Sequence, residues 1–400
     1  MNSLTETRRA LRPPPLSLYV HLPWCVKKCP YCDFNSHALQ GEIPAERYIE
    51  ALIADLENDL PLVWGRTVHS VFFGGGTPSL FSAAQIDHFL AAARSLLQLA
   101  PAAEITLEAN PGTIEHDSFN AYRDAGINRV SLGVQSFDDA ALARIGRIHG
   151  RREAEQAICS IRDAGLDNFN IDLMYGLPQQ SLPAALADIE QALRHEPSHL
   201  SHYQLTLEPN TAFHAQPPAL PGEDTCWDMQ ATCSVSLVAN GYEQYEISAW
   251  SRPGRLCAHN LNYWRYGDYL GIGAGAHGKI TLAGEGEIRR LVKQRHPQVY
   301  LQALQSGRWR AENRAVSAPD RCFEFFLNQL RLRQGVHLQD FESRTGLDWS
   351  AAGEAVSRAL SDGLLQRQDQ MLVPTELGWR FINDVQALFL PPEKQAGDKA

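Results

Sequence analysis

Between residues 17 and 209 the chain alternates between two hydrophobic periods, and this alternation limits its folds more than any other feature. Short β-rich runs occur at 17–23, 69–76, 104–111, 127–136, 168–177 and 199–209. Helix-like stretches lie between them, among them 45–60, 83–99, 151–164 and 182–195. Strands joined by helices predict a parallel sheet, because parallel neighbours need a long crossover connection. Functional-looking residues stand where these strands end: Gly74 to Thr77, Glu108, Gln135 and Asp172. Ligands collect at the C-terminal ends of strands in α/β barrels and open sheets alike. No GxGxxG follows the first strand, so an α/β partial (β/α)6 barrel is expected rather than a dinucleotide-binding sheet.

The repeat lapses near residue 217. A helix is predicted at 223–239 and a strand at 242–248, followed by the polar-aromatic stretch LCAHNLNYWRYGDYLGIGAGAHG. Three helices follow at 321–332, 338–345 and 352–362, then a short hairpin at 364–368 and 371–374, then a closing helix at 375–389. That order predicts a C-terminal winged-helix-like α+β module. The expected division is a flexible N-terminus at 1–15, the barrel at 16–215, a barrel extension at 216–315, the module at 316–390 and a disordered tail at 391–400.

Charge narrows the function classes. Thirty-six Lys and Arg against 46 Asp and Glu give a net charge of −10, which argues against a general nucleic-acid binder. The turn of the predicted wing carries one arginine and one acid, which is poor DNA-binding chemistry. No apolar run reaches the roughly 18–20 residues of a membrane span, and no apolar stretch backs the N-terminal arginines as a secretory signal requires. A cytoplasmic protein is expected. Residues 286–335 hold ten basic and four acidic residues. They read either as solvated helix faces or as a docking patch for an anionic ligand or partner.

Three of the eight cysteines fall within eight residues, in Cys25-Val-Lys-Lys-Cys29-Pro-Tyr-Cys32, directly after the first strand. Three thiolates this close fit one metal centre. Zinc would need a fourth ligand, for which His21 or His37 is at hand. A [4Fe–4S] cluster normally takes four cysteines, so three leave one iron open. Three unrelated thiols are the bland alternative. The spacing CxxxCxxC on a loop after a β-strand, ahead of βα repeats, strongly resembles the radical S-adenosylmethionine (SAM) superfamily. The resemblance implies a [4Fe–4S] cluster whose open iron chelates SAM.

Further along, YVHLPWC, CPYCDF, FFGGGTPSL, LEANP, RVSLGVQSF and NIDLMYGLP together resemble the oxygen-independent coproporphyrinogen III oxidase family, over about residues 16–390. This resemblance implies SAM contacts at Tyr19, Gly75, Gly76, Thr77 and Glu108. It places a second set, where the oxidases bind another SAM, at Tyr31, Gln135, Arg147 and Asp172. The family divides into decarboxylating oxidases and haem chaperones. The oxidases carry a fourth cysteine two residues after the third, where this chain has Phe34. The segment His259-Asn260-Leu261-Asn262-Tyr263-Trp264 matches the HNxxYW motif of the haem-binding branch. An imidazole can ligate haem iron, and Tyr263 and Trp264 can pack on a porphyrin. His259 is the expected iron ligand, with Cys257 the alternative.

The resemblance thus implies a haem chaperone with a SAM-ligated cluster, delivering haem to acceptor haem proteins such as respiratory enzymes at the membrane, as a monomer or homodimer peripheral to the inner membrane. Its rival is the oxidase of porphyrin biosynthesis, which decarboxylates coproporphyrinogen III.

Overall fold

The computed structural model describes residues 11–112 and 117–391. Residues 1–10 of the stretch expected to be flexible and most of the tail after Leu390 lie outside the described residues, whereas residues 11–15 are held: Leu11 is buried in the core of the C-terminal module and the Arg12 N–H donates to the Ser343 carbonyl at 2.9 Å. Six strands form in the predicted order: β1 (Leu16–Leu22), β2 (Thr67–Gly75), β3 (Gln98–Ala109), β4 (Arg129–Gln135), β5 (Phe169–Tyr175) and β6 (His199–Gln204). They lie side by side in sequence order, each parallel to the next. Alternate residues face outward, where Leu18, Val20, Val71, Phe73, Leu107, Leu132 and Ile171 pack beneath helices α1 (Ala45–Asp59), α2 (Ala83–Leu96), α3 (Arg151–Asp163) and α4 (Leu182–Arg194). From the helices, Leu52, Leu56, Phe89, Leu90, Ile158, Ile161 and Ile189 complete that core. Deleting one such Leu side chain costs about 2–5 kcal/mol. Serines start the connections cleanly: Ser82 and Gln85 form a capping box at α2, and Ser181 caps α4.

The chain then widens this sheet at both edges. Beyond β6 lie β7 (Glu243–Glu246) and β8 (Ala249–Ser251), a tight antiparallel pair where one strand over 242–248 was expected. At the other edge, β9 (Asp268–Ile272) runs parallel to β1. It is followed by β10 (His277–Leu282), β11 (Glu287–Lys293) and β12 (Arg310–Ala315), all antiparallel. The result is a twelve-stranded sheet in the order β12-β11-β10-β9-β1-β2-β3-β4-β5-β6-β8-β7. The polar-aromatic stretch therefore splits into a short helix, α5 (Ala258–Trp264), and a central strand.

The C-terminal module has its own core, with Phe325, Phe326, Phe341, Val356 and Phe389 in mutual contact and the Phe326 and Phe389 rings stacked at 3.8 Å. Its strands β13 (Val336–His337), β14 (Leu365–Gln368) and β15 (Met371–Pro374) form a small antiparallel sheet in the order β13-β15-β14. Helices precede this wing as predicted. Tyr266, fully buried, belongs to this aromatic core and ties the module to the strands before it.

Candidate functional site

Outward residues being apolar, the alternate inward residues decide what the barrel can hold, and they are polar. Ser17, Ser70, Thr106, Glu108, Arg129, Ser131, Asn170 and Asp172 all project from β1–β5 into the interior. Burial pushes the Glu108 carboxyl up to about 7, with Asp172 adding repulsion and the Gly75 N–H, 3.1 Å away, pulling it back. Asp172 is also pushed up by burial, against hydrogen bonds from Asn170 and Ser131. Arg129 is 2% exposed, and its nearest carboxylate, Glu104, stands 3.8 Å away. So much buried charge would be costly in a closed core and suits a cavity for a polar, cationic ligand.

The three cysteines share one loop at the C-terminal mouth of this interior. Cys25, Cys29 and Cys32 are free and partly exposed. Cys32 Sγ lies 3.5 Å from Ser36 Oγ, and Arg147 Nη1 donates toward Cys29 Sγ at 3.6 Å. Burial raises the Cys25 thiol, with Thr77 and Ser36 hydrogen bonds opposing. Among the described residues no three His, Cys, Asp or Glu side chains converge on a single ion. A zinc ion would draw its ligands in to about 2.3 Å, whereas a cubane spaces its cysteines more widely. Of the two histidines offered as a fourth zinc ligand, His21 has no ring nitrogen to spare. His21 uses both ring nitrogens, Nδ1 with Tyr19 Oη at 2.9 Å and Nε2 with the Asn35 carbonyl at 3.0 Å. His37 packs edge-on against His296, and its Nε2 is buried without a hydrogen-bond partner among the described residues.

The glycine run is fixed by sterics. Gly75 has φ +113°, and a Cβ there would sit 2.4 Å from the His21 ring; at Gly76 it would sit 2.4 Å from the Trp24 carbonyl oxygen. Only glycine permits this approach. Thr77, buried, accepts a hydrogen bond from Asn110 at 3.0 Å. Asn110 also accepts from Arg147 Nη2 at 2.6 Å, and the same nitrogen donates to the Gly133 carbonyl at 2.6 Å. Gln135 ends β4 with φ +70°, an uncommon backbone for a non-glycine residue, and accepts from Tyr203 Oη at 2.8 Å. Tyr31, beside Cys29 and Arg147, lies under the same mouth. The structure thus brings Tyr19, Gly75, Gly76, Thr77, Glu108, Tyr31, Gln135, Arg147 and Asp172 to one end and interior of the barrel.

Helix α5 lies deeper. His259 is 8% exposed, with Nδ1 3.0 Å from Ser70 Oγ and its ring 4.9 Å from Phe72 and 6.3 Å from Tyr19. Burial and Arg129 hold its pKa down to about 3. Although 240 residues apart in sequence, His259 and Tyr19 line one interior. Cys257 is wholly buried, its thiol donates toward Glu104 at 3.6 Å, and burial pushes it up to about 12, which opposes a thiolate ligand. Tyr263 is 37% exposed, while Trp264 is covered by the Arg331 guanidinium at 4.3 Å. Reading the sequence missed Asn110, Asn35, Tyr203 and Ser70. Asn110 sits in the quoted LEANP and could have been found there; the others carry no motif signal.

Family models match at two places: the Radical SAM superfamily over residues 19–190 and the HemN C-terminal domain over 316–381. The chain is 50% identical to "Heme chaperone HemW" of Escherichia coli strain K12, covering 94% of this chain and 98% of that one. The chain belongs to that family. It is 48% identical to the protein of the same name from Haemophilus influenzae, over 95% and 99% of the two chains. The solved structure of E. coli coproporphyrinogen III oxidase (HemN), described as a radical SAM enzyme, superposes with a TM-score of 0.79 at 25% identity, covering 94% of this chain and 90% of that one. This chain and the oxidase thus share the barrel and the module.

Proposed function

We propose that the chain is a haem chaperone that binds SAM on a [4Fe–4S] cluster, takes up haem and hands it to acceptor haem proteins, with respiratory enzymes among them. The carrying observation is 50% identity, over nearly the full length of both chains, with the E. coli protein named as a heme chaperone. Phe34, 62% exposed at the position of the oxidases' fourth motif cysteine, agrees with it.

Cys25, Cys29 and Cys32 would hold the cluster, which when bound supplies an open iron for the amino and carboxylate groups of SAM. The chain's own residues shape that pocket. Gly75 and Gly76 let the backbone approach, Thr77 and Asn110 fix the loop, and Glu108 accepts from the Gly75 N–H while facing the cavity. With its carboxyl near neutrality, Glu108 ionises readily when a sulfonium or ammonium comes near. Tyr31, Gln135, Arg147 and Asp172 form the second group; Arg147 anchors it by spanning Asn110, Gly133 and Cys29. Tyr263 gives the haem site an exposed ring, Trp264 backs it, and His259 holds α5 against Ser70 and Phe72. For His259 itself to ligate iron, the helix must first leave that packing. No helix among the described residues is long and apolar enough to cross a membrane, so delivery at the inner membrane would proceed by docking, from the cytoplasm, by a monomer or a homodimer.

The test is one anaerobic incubation of cluster-reconstituted protein with reductant, SAM and coproporphyrinogen III, beside an active oxidase, followed by haem titration. The chaperone reading expects no protoporphyrinogen and saturable haem uptake. Stoichiometric porphyrin product would make the chain an oxidase.

A further inference from the structure

His259 is sequestered, yet a second histidine lies open on the same side of the sheet. Tyr269 on β9 pairs with Lys279 on β10, and Lys279 pairs with Arg290 on β11. Arg290 Nη1 donates to Tyr269 Oη at 2.7 Å, so these side chains share a face. Alternation along the strands puts His277 and its partner Val292 on that face as well. It is the lumen face, because Tyr19 pairs with Gly271, two residues beyond Tyr269. Helix α5 brings Tyr263 to it, the rings of Tyr263 and Tyr269 lying 4.9 Å apart.

His277 is exposed. Burial of part of its ring lowers its proton affinity, and Arg290 and Arg295 lower it further, against Glu312. A metal-binding imidazole must be neutral, and this environment favours that form. Arg295 is exposed and makes no ion pair among the described residues. Most other cations of the basic segment are already paired, Arg290 with Glu324 at 2.8 Å and Arg331 with Glu246 at 3.1 Å. Asn35, on the cluster loop, donates to the Ala274 carbonyl at 3.0 Å and the Arg295 carbonyl at 2.9 Å. Two strand ends next to His277 are thereby tied to the loop that carries Cys25, Cys29 and Cys32.

We infer that haem is received on the lumen face of β9–β11 with His277 ligating the iron, the exposed Tyr263 ring, backed by the buried Tyr269, against the macrocycle, and Arg295 toward a propionate. The inference rests on the haem-chaperone reading and adds to it a ligand outside the HNxxYW segment. An exposed aromatic ring, an exposed imidazole and a guanidinium without an ion pair among the described residues meet the three demands of the ligand: a flat apolar ring, an iron and carboxylates.

The test uses the full-length, cluster-reconstituted protein titrated anaerobically with haem and read by absorption and electron paramagnetic resonance. His277→Ala should weaken haem at least tenfold and change the ligand-field signature, and free imidazole should restore it. His277→Gln should behave alike without imidazole, and His296→Ala should leave the spectrum as in the parent. Retained cluster absorbance in each variant shows that folding is intact. Haem uptake by the parent with an unchanged His277→Ala spectrum overturns this ligand and leaves the chaperone reading standing. A signature lost only in His259→Ala does the same. Absence of haem uptake by the parent overturns both.

Discussion

The two sides of the large sheet are held in different ways. Strands β1–β6 are fixed by apolar outer faces under α1–α4, while their inner faces are free to be polar. Strands β9–β12 bury apolar side chains too, Leu270, Ile272, Ile280 and Leu291 among them, but add networks of buried charge. Lys293 on β11 is fully buried, contacting Asp55 and, at 2.7 Å, Asp59 of α1. Tyr300 donates to Asp55 at 2.6 Å, and Arg310 of β12 meets Asp59. A second knot joins Lys279 to Asp268 at 2.9 Å and Arg66 to Asp268 at 2.7 Å. Apolar packing weakens by degrees as methyl groups are removed. A buried ion network fails abruptly, because each lost partner strands the other.

The largest expected effect tests that contrast directly. Lys293→Ala leaves Asp55 and Asp59 buried beside each other and should cost about 3–5 kcal/mol, the range for breaking a buried pair. Burial and Asp59 already push Asp55 up, and Lys293 is what opposes them. Without the lysine the folded state holds extra protons, so the variant's stability should fall as pH rises above the usual carboxylate range. Urea midpoints at two pH values measure both. The double change Lys293→Met with Asp55→Asn should recover part of the loss. If Lys293→Ala proves milder than Leu132→Ala in the barrel core, the contrast fails.

A second comparison sets a glycine of the barrel mouth against one of the extension. At Gly76 an added Cβ meets the Trp24 carbonyl at 2.4 Å, whereas at Gly284 nothing lies within 4 Å. Gly76→Ala forces the cluster loop away from β2 and should cost roughly 1–3 kcal/mol of strain. Calorimetry on reconstituted protein should show SAM binding weakened tenfold or more. Gly284→Ala should bind SAM as the parent does.

These contrasts explain what could be read from the sequence. In the barrel, outward residues repeat with period two and helices with period 3.6, so order, direction and strand ends were all visible at Glu108, Gln135 and Asp172. The cluster loop was visible because three cysteines within eight residues have few other uses. The extension was not resolved into strands because its buried positions include Lys279 and Lys293, which read as surface residues until their acids, Asp268 on a neighbouring strand and Asp55 on a distant helix, are known. Its excess of basic residues likewise read as solvated helix faces or a docking patch, although Asp59, Glu246 and Glu376 come from elsewhere to meet it. The placement of α5 was hidden for a similar reason: what buries His259 is Ser70 and Phe72 of β2, far away in sequence.

Two buried histidines, His202 on the outer face of β6 and His259 in the interior, also predict an acid sensitivity. Burial holds His202 at about 4 and His259 at about 3, both below the ordinary 6.5. The unfolded chain takes up these protons as pH falls below 6.5 while the folded chain does not. Stability is therefore fully present above 6.5 and is lost as pH drops toward the folded values. His202 packs against Tyr175 with ring centroids 4.7 Å apart. His202→Gln should remove close to one proton from the pH slope between 6.5 and 4, at most about 1.4 kcal/mol for each pH unit. Denaturant unfolding at pH 5 and 7 reads it, and an unaltered slope would mean that His202 is protonated in the fold.

The smallest effect completes the comparison from the solvent side. Arg151 and Glu155 on α3 form an i,i+4 pair at 2.7 Å, with 48% and 33% of their side chains exposed. Water screens this pair, so Arg151→Gln should change stability by no more than about 0.5 kcal/mol. That small loss should vanish in concentrated salt, where the Debye length shrinks to about 3 Å at 1 M. The Lys293 penalty should persist in the same buffer, since mobile ions cannot reach between β11 and α1. A comparable salt response at both sites would mean that water penetrates the Lys293 network, and the extension would then be held by packing like the barrel. Salt thus separates the two modes of attachment even where the total stabilities coincide.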